Sequence, residues 1–388
     1  MLSGSKQGSK ITMKKLIECS SAVAEAVKAC KVGVVAAYPI TPQTKIVERL
    51  SEMHANGELG SAQYVNVESE HSAMSACIGA AAAGSRVFTS SNSQGLLYMA
   101  EMLHVASGLK IPMVMAVTNR AISSPINIWN DHSDTMSQRD CGWIQLFVES
   151  SQEAYDTIIQ AYKLSEKLQI PAMVCLDGFV LSHVSEVVDM LNDKDVESFL
   201  PPYDFERKLN PENPLTLGYL AYPKYYMKFK EKQFEAFENS HSTIKELNEE
   251  FAEKFGRNYG DGLIETYKMD DAKTALIAMG SVCSTARVAI DELREKGKKV
   301  GLIKIKSYRP FPKNELLKVC GRAREIAVID RALSFGTSAP LFKDIKALNL
   351  KADINSFIVG LGGRDITKDM IKSIILKAGQ KKEVEFVY

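Results

Sequence analysis

Clustered cysteines are missing from this chain. Its seven cysteines (Cys19, Cys30, Cys77, Cys141, Cys175, Cys283 and Cys320) stand far apart, and no two form a C-x-x-C pair. An iron–sulfur cluster usually takes closely grouped thiolates, and a structural zinc also wants clustered ligands. This spacing offers neither, and the odd, scattered count points to reduced, buried thiols in a cytoplasmic protein. An excess of one charge is missing too. The 48 Lys+Arg face 47 Asp+Glu, so the formal net charge of +1 leaves no electrostatic footprint for nucleic acid. No apolar run approaches the ~18 residues a membrane helix needs. The start is polar and lysine-bearing, and the run after it is broken by Glu18, Glu25 and Lys28. That pattern predicts an amphipathic helix and no secretion signal. Residues 1–12 read as a flexible extension, with Met13-Lys14-Lys15 opening the fold.

What is present is apolar substance with a rhythm. At 388 residues and 45% apolar content the chain can fill two or three cores, at roughly 100–200 residues per domain. Over 13–190, strands at 34–37, 63–67, 86–90, 112–118, 144–148 and 171–176 are mostly continuous apolar runs, as parallel strands covered on both faces require. Helical patterns at 14–31, 44–53, 70–83, 95–107 and 152–168 fall between them, and Gly33 is placed to stop the first. The pattern predicts a doubly wound α/β domain. Residues 191–270 break the rhythm with Pro201-Pro202, Pro211, Pro214 and a charged helical stretch at 227–255. That helix has few apolar positions, so the connecting segment is expected to lie on the surface or against another subunit. Strands at 274–279, 299–305, 325–329 and 354–359, with helices at 283–296 and 367–378, make 271–388 a second α/β domain.

Three motifs carry chemistry. The run Val34-Val35-Ala36-Ala37 stops at Tyr38-Pro39-Ile40-Thr41-Pro42, where each proline fixes its own φ and extends the residue before it. Thr41 is thereby held at the carboxyl end of a strand, where open α/β sheets bind ligands; it also suits a plain turn. Val67-Glu68-Ser69-Glu70-His71-Ser72-Ala73 leads into the small-residue run Ala76-Cys77-Ile78-Gly79-Ala80-Ala81-Ala82-Ala83-Gly84. Glu70 opens that helix behind Ser69 as N-cap, a place that favours an acid whatever its task. In Ala116-Val117-Thr118-Asn119-Arg120-Ala121-Ile122-Ser123-Ser124-Pro125, running on to Trp129-Asn130-Asp131-His132-Ser133-Asp134, Arg120 sits just past a strand. It could fork onto a carboxylate or pair with Asp131, Asp134 or Asp140. Ser93-Gln94-Gly95, opening a further helix, lines a pocket or caps the helix. Asp131-His132-Ser133-Asp134 is a weak metal pattern and reads as structural.

In this order the three motifs resemble the alpha subunit of 2-oxoacid:ferredoxin oxidoreductases, the pyruvate:ferredoxin oxidoreductase family, from about Met13 to the C-terminus. The resemblance implies a doubly wound thiamine-diphosphate pyrimidine-binding domain followed by a transketolase C-terminal-like α/β domain. It implies Glu70 as the acid hydrogen-bonding the pyrimidine N1′ of thiamine diphosphate, Arg120 and Thr41 as anchors of the substrate carboxylate, and Ser93 and Gln94 as lining of the cofactor pocket. The implied reaction is oxidative decarboxylation of pyruvate to acetyl-coenzyme A with reduction of ferredoxin. Branched-chain, aryl and other 2-oxo acids stay open, as does a scaffold subunit without chemistry. Gly260-Asp261-Gly262 looks like the start of a diphosphate motif, but it follows no apolar strand and reads as a turn. Gly360-x-Gly362-Gly363 has the wrong spacing for a dinucleotide fingerprint and suits a turn or a ligand- or subunit-facing loop. By family pattern Mg²⁺ and a 4Fe–4S cluster then belong to a beta subunit and further clusters to a ferredoxin-like (delta) subunit. A gamma part completes the complex, and the isolated chain should be inactive.

Overall fold

A computed structural model describes residues 13–380 and 383–388; the expected extension at 1–12 lies outside the described residues. In chain order the first half holds β1 (Met13–Glu18), α1 (Cys19–Ala29), β2 (Val34–Ala37), α2 (Thr44–Ala55), β3 (Gln63–Asn66), α3 (Glu70–Ala82), β4 (Val87–Ser91), α4 (Ser93–Tyr98), α5 (Ala100–Gly108), β5 (Val114–Asn119), α6 (Ser133–Ser137), β6 (Ile144–Phe147), α7 (Ser151–Leu168), β7 (Ala172–Asp177) and β8 (Ser185–Met190). After α8 (Asp193–Phe199) and the long α9 (Pro223–Phe255) come β9 (Ile264–Tyr267), β10 (Thr274–Ala278), α10 (Val282–Glu295), β11 (Val300–Ile305), β12 (Ser307–Arg309), α11 (Lys313–Cys320), β13 (Glu325–Asp330), α12 (Pro340–Lys346), β14 (Asp353–Ile358), α13 (Lys368–Leu376) and β15 (Val384–Phe386).

Two large sheets result, in the orders β12-β6-β7-β5-β4-β2-β3 and β15-β14-β13-β10-β11-β9, beside a two-stranded sheet of β1 and β8. The inner strands of both large sheets are parallel and largely buried, as strands covered by helices on both faces are. This is the doubly wound α/β architecture that the alternation predicts, built twice. Ser69 and Ser150 start α3 and α7 by accepting from Ser72 N and Glu153 N, which satisfies one otherwise orphaned donor at each helix start.

The structure departs from the local reading where distant pairing decides. Residues 14–18 are strand and not helix, because β1 finds an antiparallel partner in β8. Lys31, with φ +53°, makes the left-handed exit from α1 that the sequence assigns to Gly33. The expected helix over 95–107 is two, meeting at Met99. From Ser240 onward α9 is a core element: Ser240, Thr243, Ile244, Leu247, Asn248, Phe251 and Phe255 are buried at helical spacing, while Tyr225, Tyr226 and Met227 stay exposed. Gly260-Asp261-Gly262 is a turn, with Asp261 Oδ1 accepting from Leu263 N and Ile264 N.

The halves interlock. β9 lies in the second sheet although it precedes residue 271, and β12 crosses to pair with β6 of the first. Buried Lys304 donates to Glu153 Oε2 at 2.7 Å and lies 2.9 Å from Glu149 Oε2. Burial opposes its charge, but Glu153, Glu149 and Glu265 more than offset that and hold it protonated. Asp177, ending β7, accepts from Ser281 N at 3.0 Å and Arg331 Nη1 at 2.8 Å across the same junction.

Candidate active site

The first sheet reverses its winding between β2 and β4, so the crevice beyond their carboxyl ends is the expected ligand place. The segments leaving β2, β3, β4 and β5 meet there, and they contain Thr41, Glu70, Ser93 with Gln94, and Arg120.

The loop after β2 is clamped by Gln43, a fully buried residue whose Nε2 donates to Ser90 O at 2.9 Å and Ser90 Oγ at 2.7 Å while its Oε1 accepts from Ile40 N. Thr41 stands exposed at the tip, joined to Pro42 by a cis peptide. Its carbonyl accepts from Arg120 Nη1 at 2.9 Å, and its hydroxyl makes no hydrogen bond among the described residues. Arg120 is 7% exposed, and its Nε donates to Asn127 O at 2.9 Å. No ion pair between Arg120 and Asp131, Asp134 or Asp140 forms; its partners are backbone carbonyls. Burial pulls its pKa below the ordinary arginine value, with Asp134 opposing. A buried guanidinium with spare N–H donors and no carboxylate is arranged to receive an anion from outside.

Glu70 is the first residue of α3 and is 7% exposed. Burial pushes its carboxyl above the ordinary glutamate value, against its own backbone N–H, and no other side chain among the described residues bonds it. Gly95 makes room for it: a Cβ there would come within 2.5 Å of both Glu70 Oε1 and Ser91 Oγ. Ser93, entering α4, is wholly buried in left-handed backbone at φ +46°, a conformation a non-glycine residue keeps only when its surroundings impose it. Its hydroxyl reaches both Ala121 O and Gln94 Oε1, and its N–H donates to Asp134 Oδ2 at 2.9 Å. Gln94 is half-buried, and its Nε2 has no partner among the described residues.

Ser93 and Arg120 are joined through Asp134. This fully buried carboxylate accepts from Ser93 N, Arg120 N, Thr135 N and Asn119 Nδ2. Burial pushes its pKa up while those donors pull it down. The structure thus brings all five expected residues to one crevice, with Glu70 and Gln94 on one side and Thr41 and Arg120 on the other. Gln43, the joining role of Asp134 and the space that Gly95 leaves for Glu70 escape a sequence reading.

Among the described residues no three His, Cys, Asp or Glu side chains group to hold a metal, and no Gly-rich phosphate loop faces the crevice. A carboxyl of raised pKa over a glycine, bonded by no other side chain and beside an amide whose Nε2 has no partner among the described residues, fits the pyrimidine end of thiamine diphosphate. The rim is open and apolar: Tyr38, Val65, Leu97, Tyr98, Ile126 and Trp129 are 37–81% exposed.

Residues 25–249 match the family model "Pyruvate flavodoxin/ferredoxin oxidoreductase, thiamine diP-bdg", and residues 272–371 match "Pyruvate:ferredoxin oxidoreductase core domain II". The chain is 51% identical over 365 residues to pyruvate synthase subunit PorA of Methanocaldococcus jannaschii, covering 93% of this chain and 94% of that one. It is 44% identical over 388 residues to ketoisovalerate oxidoreductase subunit VorA of Pyrococcus horikoshii, covering 97% and 98%. The solved 2-oxoglutarate:ferredoxin oxidoreductase from Magnetococcus marinus, with 2-oxoglutarate, coenzyme A and succinyl-CoA bound, shares the fold at a TM-score of 0.73 and 20% identity, and this chain spans 66% of its length. With the thiamine-diphosphate-binding model covering most of the first half and a relative at half identity along nearly the whole chain, this protein belongs to the pyruvate flavodoxin/ferredoxin oxidoreductase family.

Proposed function

We propose that this chain is the alpha-type subunit of a thiamine-dependent, coenzyme-A-acylating pyruvate:ferredoxin oxidoreductase, supplying the pyrimidine half of the cofactor site and the carboxylate anchor of the substrate. The observation that carries the assignment is the nearness of a buried carboxyl that no other side chain bonds, Glu70, to a buried guanidinium without a carboxylate partner, Arg120, at the carboxyl ends of one parallel sheet.

When bound, thiamine diphosphate supplies the electron sink that a 2-oxo acid needs to lose carbon dioxide. Glu70 is placed to share a proton with a ring nitrogen, and burial raises its carboxyl above the ordinary glutamate value. Gly95 and Gln94 shape the wall against which a flat ring lies. Arg120, steadied by Thr41 O and Asn127 O, turns its remaining N–H groups toward the carboxylate and fixes the 2-oxo carbon's approach. Thr41 adds a free hydroxyl beside the same anchor. The open apolar rim is the surface on which a beta subunit carrying the diphosphate, Mg²⁺ and a 4Fe–4S cluster closes the site. A ferredoxin-like (delta) subunit then passes electrons to ferredoxin, and a gamma part completes the complex.

The test is an anaerobic assay of the assembled complex with pyruvate, coenzyme A and thiamine diphosphate, following viologen reduction. Coenzyme-A-dependent reduction is expected, and Glu70→Gln should lower turnover by roughly 10²–10⁴-fold; near-normal turnover of that variant would sink the assignment. A second reading, a branched-chain 2-oxo acid as substrate, is favoured by the likeness to the ketoisovalerate subunit over 97% of the chain. Rates on a panel of 2-oxo acids separate the two.

A further inference from the structure

We propose that the glycine turn at 360–363, in the second half of the chain, is a positioning element for Arg120. The inference rests on the reading of Arg120 as the carboxylate anchor and names what holds that anchor in place.

The guanidinium has two holds: Nη1 on Thr41 O and Nε on Asn127 O, each at 2.9 Å. Asn127 belongs to a segment that gets little support from packing, since Ile126 is 81% and Trp129 52% exposed. Hydrogen bonds from the other half of the chain fix it instead. Asn127 Nδ2 donates to Gly362 O at 3.1 Å, Gly363 N donates to Asn130 O at 2.7 Å, and Gly362 N donates to Asp131 Oδ2 at 3.2 Å. One residue further on, His132 N donates to Arg331 O at 2.7 Å, and Ala121 N closes the near end of the loop on Trp129 O at 3.0 Å. A run of such bonds on an exposed loop sets where the Asn127 carbonyl lies, and so where the Arg120 fork points.

The same contact explains why the turn is glycine. Gly362 and Gly363 hold φ values of +59° and +81°, which side chains rarely adopt. A Cβ on Gly362 would come within 2.5 Å of Asn127 Nδ2, and one on Gly363 within 2.2 Å of Trp129 Cβ. These glycines let one backbone approach another. A glycine run that fails as a dinucleotide fingerprint thus gains a task, to brace the substrate side of the crevice from the second half.

The experiment uses the assembled complex with Asn127→Ala, Gly362→Ala and Arg120→Lys made separately. Measured are KM and kcat for pyruvate, thiamine diphosphate affinity by calorimetry, and the thermal midpoint. Asn127→Ala and Gly362→Ala are expected to raise the pyruvate KM by roughly ten- to a hundredfold, with kcat and thiamine affinity little changed. A purely structural role would instead lower kcat through lost active protein at constant KM, and that result overturns the inference. Asn127→Ala adds no bulk, so it decides the matter even where Gly362→Ala fails to fold. If Arg120→Lys leaves the pyruvate KM unchanged, the anchor reading itself falls. If Arg120→Lys raises KM and the other two do not, only the bracing role falls.

Discussion

Gly95→Ala separates chemistry from folding more sharply than any change to a charged group. The added Cβ would meet Glu70 Oε1 and Ser91 Oγ at 2.5 Å and Glu70 Cγ at 2.8 Å, whereas ordinary Cβ contacts begin at 3.4 Å. Backbone of α4 cannot retreat, because Ser93 N and Oγ pin its start to Asp134 and Ala121. The free end of Glu70 gives way instead, by about 0.5–1 Å. For stability the terms oppose: alanine in a helix gains about 1 kcal/mol over glycine, and overpacking costs about 1–3 kcal/mol. The net loss is thus about 0–2 kcal/mol, and the fold survives. For activity, a catalytic group moved by that distance costs roughly ten- to a hundredfold. The assay is viologen reduction by the assembled anaerobic complex, with a thiamine diphosphate titration and a thermal melt on the same preparation. A folded complex with weakened thiamine affinity and turnover is expected. Unchanged affinity and full turnover would refute the placement of Glu70 against the cofactor.

Two further outcomes test the fold. Phe251→Ala removes a fully buried ring packed edge-on to Phe199 at 5.3 Å and should cost about 3–5 kcal/mol in denaturant unfolding, whereas Tyr226→Ala on the exposed part of α9 should cost under about 0.5 kcal/mol; equal effects would contradict the core role of the helix. Burial alone would raise the Asp177 pKa, but Arg331, His132 and Ser281 more than offset it and hold the carboxyl far below the usual range. A depressed folded pKa stabilises above the unfolded value of about 3.9 and loses that contribution as pH falls. Stability should therefore drop below about pH 5, and Asp177→Asn should flatten that acid limb; an identical acid limb in the variant would show that Asp177 contributes nothing to it.

The crevice was legible in outline because its signals are local. Proline restricts the residue before it, a serine caps the helix it precedes, and a continuous apolar run marks a buried parallel strand. Thr41, Glu70, Ser93, Gln94 and Arg120 are readable for that reason, each just past a strand. Their state is not. Whether Arg120 is paired depends on where Asp131, Asp134 and Asp140 point, and the answer is that Asp134 spends both oxygens on N–H donors from three segments.

By itself, then, the sequence determined the alternation of strand and helix, the two α/β halves and the motifs that stand just past the strand ends. Only the tertiary structure decided the pairing of β1 with β8, the crossing of β12 into the first sheet, the burial of the second part of α9 and the bracing of Asn127 by Gly362, 235 residues away. Propensity, capping and periodicity act over a few neighbouring residues. Which edge meets which, and which buried charge finds a partner, is settled by the free energy of the whole packed chain, where residues distant in sequence compete for the same donors and the same apolar surface.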